Sequence, residues 1–179
     1  MGLINKYVTI IALILLSVAN VTYAGDFDRF LGSYVGHTIE VENGKDVHRD
    51  LSVVIKENGN GFQLEWKTTK IKASGKTKTK SYSIDFEPTG RENIFSSAMK
   101  ANLFGGRQPL DPMKGDPYVW SRVNGDLLTV HAMIITEDGG YEMLTYKRTV
   151  VEDGLDLEFN RIKNGESLKT ITAHLEKVQ

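Results

Sequence analysis

The chain has 179 residues with no cysteine, and its 22 basic and 23 acidic side chains give a formal net charge of −1 at pH 7. This near balance gives no indication of nucleic acid or an anionic membrane as a partner. Disulfide bonds are excluded, so an exported domain of this size must be held together by its hydrophobic core alone.

Residues 1–24 have the pattern of a signal peptide. Lys6 supplies a positive charge, residues 8–18 form a short apolar core, and Ala24 is a small residue of the kind that signal peptidase requires. The apolar core is shorter than the about 20 residues of a transmembrane helix. We therefore expect one domain, residues 25–179, that is soluble in the bacterial periplasm or secreted. An N-terminal anchor helix is the alternative.

A short lead-in and a glycine-containing strand open the expected domain. Residues 26–31 predict one helical turn that could close the end of a barrel. Residues 32–41 predict the first strand, which turns at Asn43-Gly44. Asn-Gly readily takes the positive φ angles of a tight hairpin, so a second strand is expected directly afterwards.

Residues 50–57 and 62–69 predict two more strands, joined across the Asn- and Gly-rich residues 58–61. Directly opposed residues share one face of an antiparallel ladder. Counting across the loop places Ile55 opposite Leu64 and Val53 opposite Trp66. The predicted inner face of this hairpin is apolar and consists of Leu51, Val53, Ile55, Phe62, Leu64 and Trp66.

The next predicted strand, residues 76–86, combines aromatic and basic alternation. Tyr82, Ile84 and Phe86 share a face with Lys76, Lys78 and Lys80. If the aromatic half lies inside a barrel, Lys80 stands at its rim. The alternative is a solvated basic hairpin beyond the barrel end, since alternating lysines are ordinary protection for an outer strand.

Residues 93–99 predict a fifth strand, and residues 103–117 follow with three of the chain's four prolines. Such a segment cannot form a central strand. Loops of this length in a compact domain usually cover or bind something, so we interpret the segment as a lid. Gly105, Gly106 and Arg107 within it are a candidate anion-binding nest.

Residues 118–163 predict an antiparallel meander. Its strands alternate with the dipeptides Asn124-Gly125, Asp138-Gly139, Asp153-Gly154 and Asn164-Gly165, each typical of a two-residue hairpin turn. Counting across these turns places Tyr118, His131, Tyr146 and Arg161 in one row. The predicted inner face holds Tyr118, Trp120, Arg122, Leu127, Thr129, His131, Met133, Ile135, Leu144, Tyr146, Arg148, Val150, Leu157, Phe159 and Arg161.

The last predicted strand, residues 167–178, follows the turn at Asn164-Gly165, which sets Arg161 opposite Leu168. Its inner positions would be Leu168, Thr170, Thr172 and His174. Ile171, Ala173 and Leu175 would then form an apolar patch on the outside, unless a bulge resets the register or another element or a partner copy covers them. The total is an all-β, antiparallel, up-and-down barrel of about 8–10 strands, closed so that no edge is exposed.

The segment Phe30-Leu31-Gly32-Ser33-Tyr34, at the start of a small exported β protein, resembles the start of lipocalin-like proteins of the calycin group. The resemblance implies that Tyr34 takes the place of a tryptophan that packs against a basic residue, here Arg148 or Arg161. In the fatty-acid-binding branch a buried Arg and Tyr hold a carboxylate, and Tyr146 with Arg161 is similar. The resemblance implies a carrier of small apolar ligands and no reaction.

The predicted inner face suggests a ligand with an anionic head and an apolar body, because a guanidinium among phenols suits a carboxylate or phosphate. Glu142 shares that face but is expected to lie too far along the strand to neutralise Arg161. The alternative is that these polar groups satisfy one another and ordered water. The predicted ligand-binding residues are Tyr118, Trp120, Arg122, His131, Tyr146, Arg148 and Arg161.

Catalysis and cofactor binding are less favoured than ligand binding. The chain has no Gly-x-Ser-x-Gly, His-Glu-x-x-His or phosphate-loop motif, and its histidines lack metal-ligand spacing. Haem ligation by His131 and acid–base catalysis by His131 with Tyr146 are the alternatives considered. We therefore expect no metal and no cofactor, a small hydrophobic or amphipathic molecule as partner, and a homodimer or envelope interaction as the competing role.

Overall fold

The computed structural model describes residues 27–42, 44–72, 74–97, 100–101, 107–108 and 110–178. The predicted leader, residues 1–24, lies outside these ranges, and so do Asn43, Gly105 and Gly106. Among the described residues, no helix is both long and apolar enough to cross a membrane.

The prediction of an all-β antiparallel barrel is confirmed. Ten strands close on themselves in the order β1, β12, β11, β10, β9, β8, β5, β4, β3, β2, and β6 pairs separately with β7. Short 3₁₀ turns cover Asp28–Phe30 and Pro112–Lys114. The strands are β1 Gly32–Glu42, β2 Lys45–Asn58, β3 Gly61–Ile71, β4 Thr77–Pro88, β5 Ile94–Ser97, β6 Lys100–Ala101, β7 Arg107–Gln108, β8 Tyr118–Asn124, β9 Leu127–Ile135, β10 Tyr141–Val151, β11 Gly154–Lys163 and β12 Glu166–Val178.

One end of the barrel is filled by aromatic side chains. The predicted helical turn is present at Asp28–Phe30, and it inserts Phe27 and Phe30, both nearly fully buried, into this end. The ring of Phe27 lies 5.2 Å from that of Phe62, which stacks on Phe86 at 4.9 Å. Offset aromatic packing of this kind excludes water, so we call this the closed end.

The register of the first hairpins agrees with the prediction. Ile55 pairs with Leu64 and Val53 pairs with Trp66, and all four side chains point into the barrel. The β1–β2 turn follows the pair Glu42 and Lys45. The inner faces of β2 and β3 could be predicted because their apolar residues alternate cleanly with polar ones.

The β8–β9 hairpin is shifted by two residues from the predicted register. Its turn is Gly125-Asp126, so Trp120 pairs with His131 and Tyr118 pairs with Met133. A two-residue shift keeps the same residues on the same face of the hairpin. The residues predicted to share one face of this hairpin therefore still share a face. The turn prediction at Asn124-Gly125 was wrong by one position.

The β9–β10 connection reverses the predicted orientation of β8 and β9. Five residues, 136–140, form the loop, and His131 pairs with Thr145 rather than with Tyr146. Asp138 organises the loop by accepting hydrogen bonds from the Thr136 hydroxyl and, at 3.2 Å, from the Gly140 amide. Replacing a two-residue turn by this loop is an odd shift, and an odd shift exchanges the two faces of a strand.

The β11–β12 hairpin has the predicted two-residue turn and then a β-bulge. Lys163 pairs with Glu166 across Asn164-Gly165, and Asn164 has φ 49°. Beyond the register shift between Arg161 and Ile162, Arg161 pairs with Lys169. The bulge turns one set of β12 side chains to the inside, namely Lys169, Ile171, Ala173 and Leu175.

The predicted outer patch at Ile171, Ala173 and Leu175 was therefore wrong. Phe159 pairs with Ile171 and Leu155 with Leu175, and Leu175 has 0% exposure. Of the explanations that the sequence left open, the bulge is the one found. A dimer interface cannot form through this patch, because its side chains face the inside of the barrel.

Candidate functional site

The half of the barrel opposite the closed end encloses a cavity of about 440 Å³. That volume lies in the range of small-molecule sites, about 300–1,000 Å³. Its floor and walls are mainly apolar, and basic side chains stand deep inside it and around its open end. The apolar lining consists of Leu51, Val53, Trp66, Ile134, Leu144, Leu157, Phe159 and Ile171.

Arg148 on β10 is the most unusual group in this cavity. The strand alternation directs it inward between Leu128 and Leu157, and its side chain is only 1% exposed. No hydrogen-bond partner in the described part of the chain reaches its Nε or Nη1. Burial lowers the pKa of Arg148 to about 10, so the guanidinium is still protonated at neutral pH.

Aromatic rings partly compensate the Arg148 charge. Its Cζ lies 6.0 Å from the ring centre of Trp66 and 5.6 Å from that of Tyr146. Cation–π contacts of this kind contribute about 0.5–2 kcal/mol, much less than the desolvation of an isolated charge. The guanidinium is therefore held in place by rings but is not neutralised by any carboxylate of the described residues.

An aromatic wall extends from Arg148 toward the open end. Trp66 stacks on Tyr82 with ring centres 4.9 Å apart, and it also contacts Tyr146 at 5.5 Å. Tyr146 in turn lies 4.7 Å from Phe159. Burial raises the pKa of Tyr146 to about 12, so its phenol keeps a proton that it can donate to an anion.

Arg161 stands at the open end and is neutralised, contrary to prediction. Its Nε donates to Oε2 of Glu142 at 2.9 Å and its Nη2 donates to Oε1 at 2.7 Å. This two-bond pairing lowers the pKa of Glu142, chiefly through the hydrogen bonds from Arg161. The prediction that Glu142 lies too far from Arg161 was wrong because the register places Leu144 opposite Arg161, only one inward position away.

A cluster of five charged side chains closes one side of the open end. Arg49 contacts Glu40 at 3.0 Å and Glu42 at 2.9 Å, and Lys70 also pairs with Glu42. Lys169 donates to Glu40 at 2.5 Å. Three cations and two carboxylates leave one positive charge in excess.

This cluster lies at a seam where β1 and β12 are only partly paired. Backbone pairing between the two strands runs from Ser33 and Val178 to Gly36 and Leu175. Beyond Gly36 the strands are joined by side chains, including the Thr38 hydroxyl, which donates to the Thr172 carbonyl at 3.0 Å. The ion pairs therefore hold the barrel wall closed where the ladder ends.

Lys80 lies at the rim of the cavity, as the aromatic interpretation of its strand predicted. It pairs with Thr68 in the β3–β4 ladder and lines the cavity beside Tyr82. The side chain is exposed. Lys80 and Arg148 are thus the two inward-facing cations of the cavity that make no ion pair with a described carboxylate.

The seven residues predicted to bind a ligand separate into two groups. Tyr146, Arg148 and Arg161 point into the cavity. Tyr118, Trp120, Arg122 and His131 lie on the outer face, and their predicted inward placement was wrong. The inner positions of β8 and β9 belong to Val119, Ser121, Val123, Leu128 and Val130, all nearly fully buried.

The outer group forms its own stack of rings. Trp120 stacks on His131 with ring centres 4.8 Å apart, and Tyr118 contacts Trp120 at 5.6 Å. The Nδ1 of His131 lies 3.3 Å from the Thr145 hydroxyl. Partial burial lowers the pKa of the His131 imidazole. His131 and Tyr146 lie on opposite faces of the sheet, so they do not come together as an acid–base pair, and His131 cannot reach a haem inside the barrel.

Sequence reasoning missed Trp66, Glu142 and Lys169 as parts of the site. The signal for β8 and β9 was present, because Val119, Val123, Leu128 and Val130 are aliphatic while the opposite positions are mixed. Trp66 was predicted to face inward, but its closeness to Tyr146 arises only when the barrel closes. Lys169 depends on the bulge, for which the sequence offered only an alternative.

Tyr34, at the start of the barrel, has a different basic partner from the one that the resemblance predicted. The Tyr34 hydroxyl donates to the Phe30 carbonyl at 2.8 Å, and the Nζ of Lys177 lies 5.8 Å from the Tyr34 ring. Arg148 and Arg161 face the cavity instead. The prediction that one of these arginines packs on Tyr34 was wrong.

The structure describes residues 107–108 and 110–117 of the predicted lid. Asp111 caps the Pro112–Lys114 turn by accepting a hydrogen bond from the Met113 amide at 3.1 Å, and this turn packs near β9. Of the described residues in 103–117, none lines the cavity. A lid role for the segment stays a prediction.

The described part of the chain contains no group of three or more His, Cys, Asp or Glu side chains that could hold a metal ion. Comparison of the sequence with models of known protein families and with curated proteins found no match. The structure shows a ten-stranded, closed, antiparallel up-and-down barrel, an architecture that is consistent with a calycin-like barrel.

Proposed function

We propose that this protein is an exported, lipocalin-like binding protein that holds a small amphipathic anion in its barrel cavity. The anionic head contacts Arg148 and the Tyr146 hydroxyl, and the apolar body lies along Trp66, Phe159 and their aliphatic neighbours. The observation that carries the proposal is the buried guanidinium of Arg148, whose Nε and Nη1 have no hydrogen-bond partner among the described residues. A buried charge without a partner is strongly destabilising, so a bound carboxylate or phosphate would complete the site.

The orientation with the head inside follows from the charges at the two ends of the cavity. At the open end, Arg161 is paired with Glu142, and Arg49, Lys70 and Lys169 share the carboxylates of Glu40 and Glu42, which leaves one positive charge in excess there. Arg148 at the floor has no carboxylate partner in the part of the chain that the structure describes. An anion therefore gains most by reaching Arg148, while the exposed Lys80 attracts it at the rim.

The chain contains two tryptophans that make binding directly measurable. Trp66 lies in the cavity wall and Trp120 on the outer face. A medium-chain brominated fatty acid, whose bromine quenches nearby indole fluorescence, should quench Trp66 on binding. The quench should persist in Trp120→Phe and vanish in Trp66→Phe, while a quench that follows Trp120 would contradict a ligand inside the barrel.

The head-group contact is tested by comparing the brominated acid with the brominated alcohol of equal length. Hydrogen bonds to a charged group contribute about 1.5–3 kcal/mol, so Arg148→Met should weaken binding of the acid about 10- to 100-fold. Binding of the alcohol should change little. The matched control is Arg122→Met, which removes an arginine from the outer face and should leave both affinities unchanged.

Two outcomes would overturn the proposal. In one, the acid and the alcohol bind equally well to the unmodified protein. In the other, Arg122→Met and Arg148→Met weaken acid binding to the same extent. Native mass spectrometry of protein purified from its own host adds an independent check, because the proposal expects a bound small acid.

A further inference from the structure

Residues 66–84 carry six lysines and no acidic residue. They form the end of β3, the beginning of β4 and the described residues between Ile71 and Thr77 at the open end of the barrel, and we call them the lysine hairpin. Trp66, Lys80 and Tyr82 in this segment also line the cavity. The whole chain is almost neutral, so this concentration of charge is invisible in its composition. The lysines are Lys67, Lys70, Lys72, Lys76, Lys78 and Lys80.

Few carboxylates of the described residues pair with the lysines of the lysine hairpin. Only Lys70 forms an ion pair with a carboxylate of the described residues, Glu42. Lys70 also stands directly opposite Lys78 in the ladder, and like charges in that position repel. The other five lysines are exposed, so the hairpin presents a positive surface that an external anion would stabilise.

Exposed aliphatic side chains lie beside this positive surface. On the outer face of neighbouring β1, Ile39 is 55% exposed and Val41 is 73% exposed. Ile39 pairs with His48, which pairs with Ile71 of the lysine hairpin. Lysines and aliphatic groups thus occupy the same end of the barrel as the opening of the cavity.

We propose that this end of the barrel docks on the surface of an anionic lipid bilayer. The lysines contact lipid phosphates and head-group carboxylates, and Ile39 and Val41 enter the outer part of the acyl region. Basic residues near an anionic membrane contribute about 1 kcal/mol each, and apolar side chains add to them when they leave water. This inference goes beyond the proposed cavity ligand and holds whatever molecule the cavity carries.

The aliphatic side chains favour a lipid surface over a soluble polyanion. A nucleic acid or an acidic polysaccharide would neutralise the lysines equally well. It would leave Ile39 and Val41 in water, whereas a bilayer accommodates both the charged and the apolar parts of the surface. Docking also brings the cavity opening to the layer in which amphipathic acids are dissolved.

The test is co-sedimentation of the full chain with vesicles of phosphatidylcholine alone or of phosphatidylcholine with phosphatidylglycerol. Binding is expected only to the anionic vesicles and should weaken as salt is added, because salt screens exposed charges. The triple variant Lys72→Glu, Lys76→Glu and Lys78→Glu should bind at least about 100-fold more weakly. Lys70 and Lys80 are left intact, so the cavity and its ion pairs are not altered.

The control variant places the same charge change elsewhere, with Lys56→Glu, Lys114→Glu and Lys147→Glu. It should keep the vesicle binding, and Ile39→Ser with Val41→Ser should reduce it while leaving heparin binding unchanged. Equal loss in both triple variants would reduce the effect to net charge and overturn the proposal. Binding to heparin without binding to anionic vesicles would also overturn it. Brominated-acid binding by the lysine-hairpin variant separates this result from the cavity proposal.

Discussion

Arg148 is a buried charged residue at a position where a hydrophobic side chain would be more stable. Its neighbours on the ladder, Leu128 and Leu157, are apolar, and its Nε and Nη1 have no partner in the described part of the chain. A hydrophobic side chain at this position would satisfy every packing rule. The presence of an arginine there is a local violation of those rules, and such violations are typical of functional sites.

Arg148→Met should therefore stabilise the ligand-free protein. Replacing a buried ion pair with apolar side chains of similar volume is often neutral or raises the free energy of unfolding by roughly 1–4 kcal/mol. We expect a gain within this range for Arg148, reduced by the lost contacts to Trp66 and Tyr146. Urea denaturation of the ligand-free variant checks the sign. A loss of stability without ligand would mean that the guanidinium is satisfied by groups within the protein, and the cavity site would lose its main support.

At the scale of elements, shifts of the strand register by one residue decide which side chains reach the cavity. The five-residue loop 136–140 turns Trp120 and His131 outward, and the bulge at Arg161 turns Lys169 and Ile171 inward. Both act through the two-residue period of a strand. The seam between β1 and β12 is a third irregularity, since the backbone pairing ends at Gly36.

Gly36→Ala should weaken this seam. A Cβ at position 36 would lie 2.2 Å from the His174 carbonyl oxygen, so the two backbones would have to move apart. Forced overpacking of this kind typically costs about 1–3 kcal/mol. Gly90→Ala is the control, because nothing lies within 4 Å of its Cβ position and its effect should stay within about 0.5 kcal/mol. Thermal unfolding of both variants measures the difference, and equal melting temperatures would contradict the close approach.

At the scale of the whole molecule, the barrel has one end sealed by aromatic packing and one end held by ion pairs. The closed end gains its stability from burial of apolar surface, which does not depend on pH. The open end depends on Glu42 and Glu142. The hydrogen bond from Lys70 lowers the pKa of Glu42, and the hydrogen bonds from Arg161 lower that of Glu142.

Acid should therefore loosen the open end first. A carboxylate whose pKa is lowered on folding stabilises the protein above its ordinary value, here 4.5, and this stabilisation is lost as the pH falls through the lower folded pKa. The melting temperature should fall below about pH 4.5. Glu42→Gln with Glu142→Gln should lower the melting temperature at pH 7 and flatten its fall in acid. Glu152→Gln, the control, removes a carboxylate outside the described ion pairs and should not change the fall of the melting temperature in acid. If the double variant shows the same fall in acid as the unmodified protein, Glu42 and Glu142 are not its cause.

The sequence by itself determined the all-β antiparallel architecture and the inner face of β2 and β3, and it gave the strand count as a range of about 8–10 that includes the ten found. Alternation of apolar residues and Gly-containing turns are local signals, and they act within a few residues of where they are read. The sequence also placed Tyr146, Arg148 and Arg161 on one face, and this prediction was correct. The β10–β11 register differs from the predicted one by two residues, and an even shift leaves every side chain on its predicted face.

Only the tertiary structure decided which of the candidate residues share the cavity. A loop of five residues in place of two and one bulged residue each exchange the faces of a strand, and neither has a strong local signature. The contacts of Trp66 with Arg148, and of Lys169 with Glu40, join strands that are distant in the chain. Such contacts exist because the sheet closes into a barrel, and closure is a property of all ten strands together.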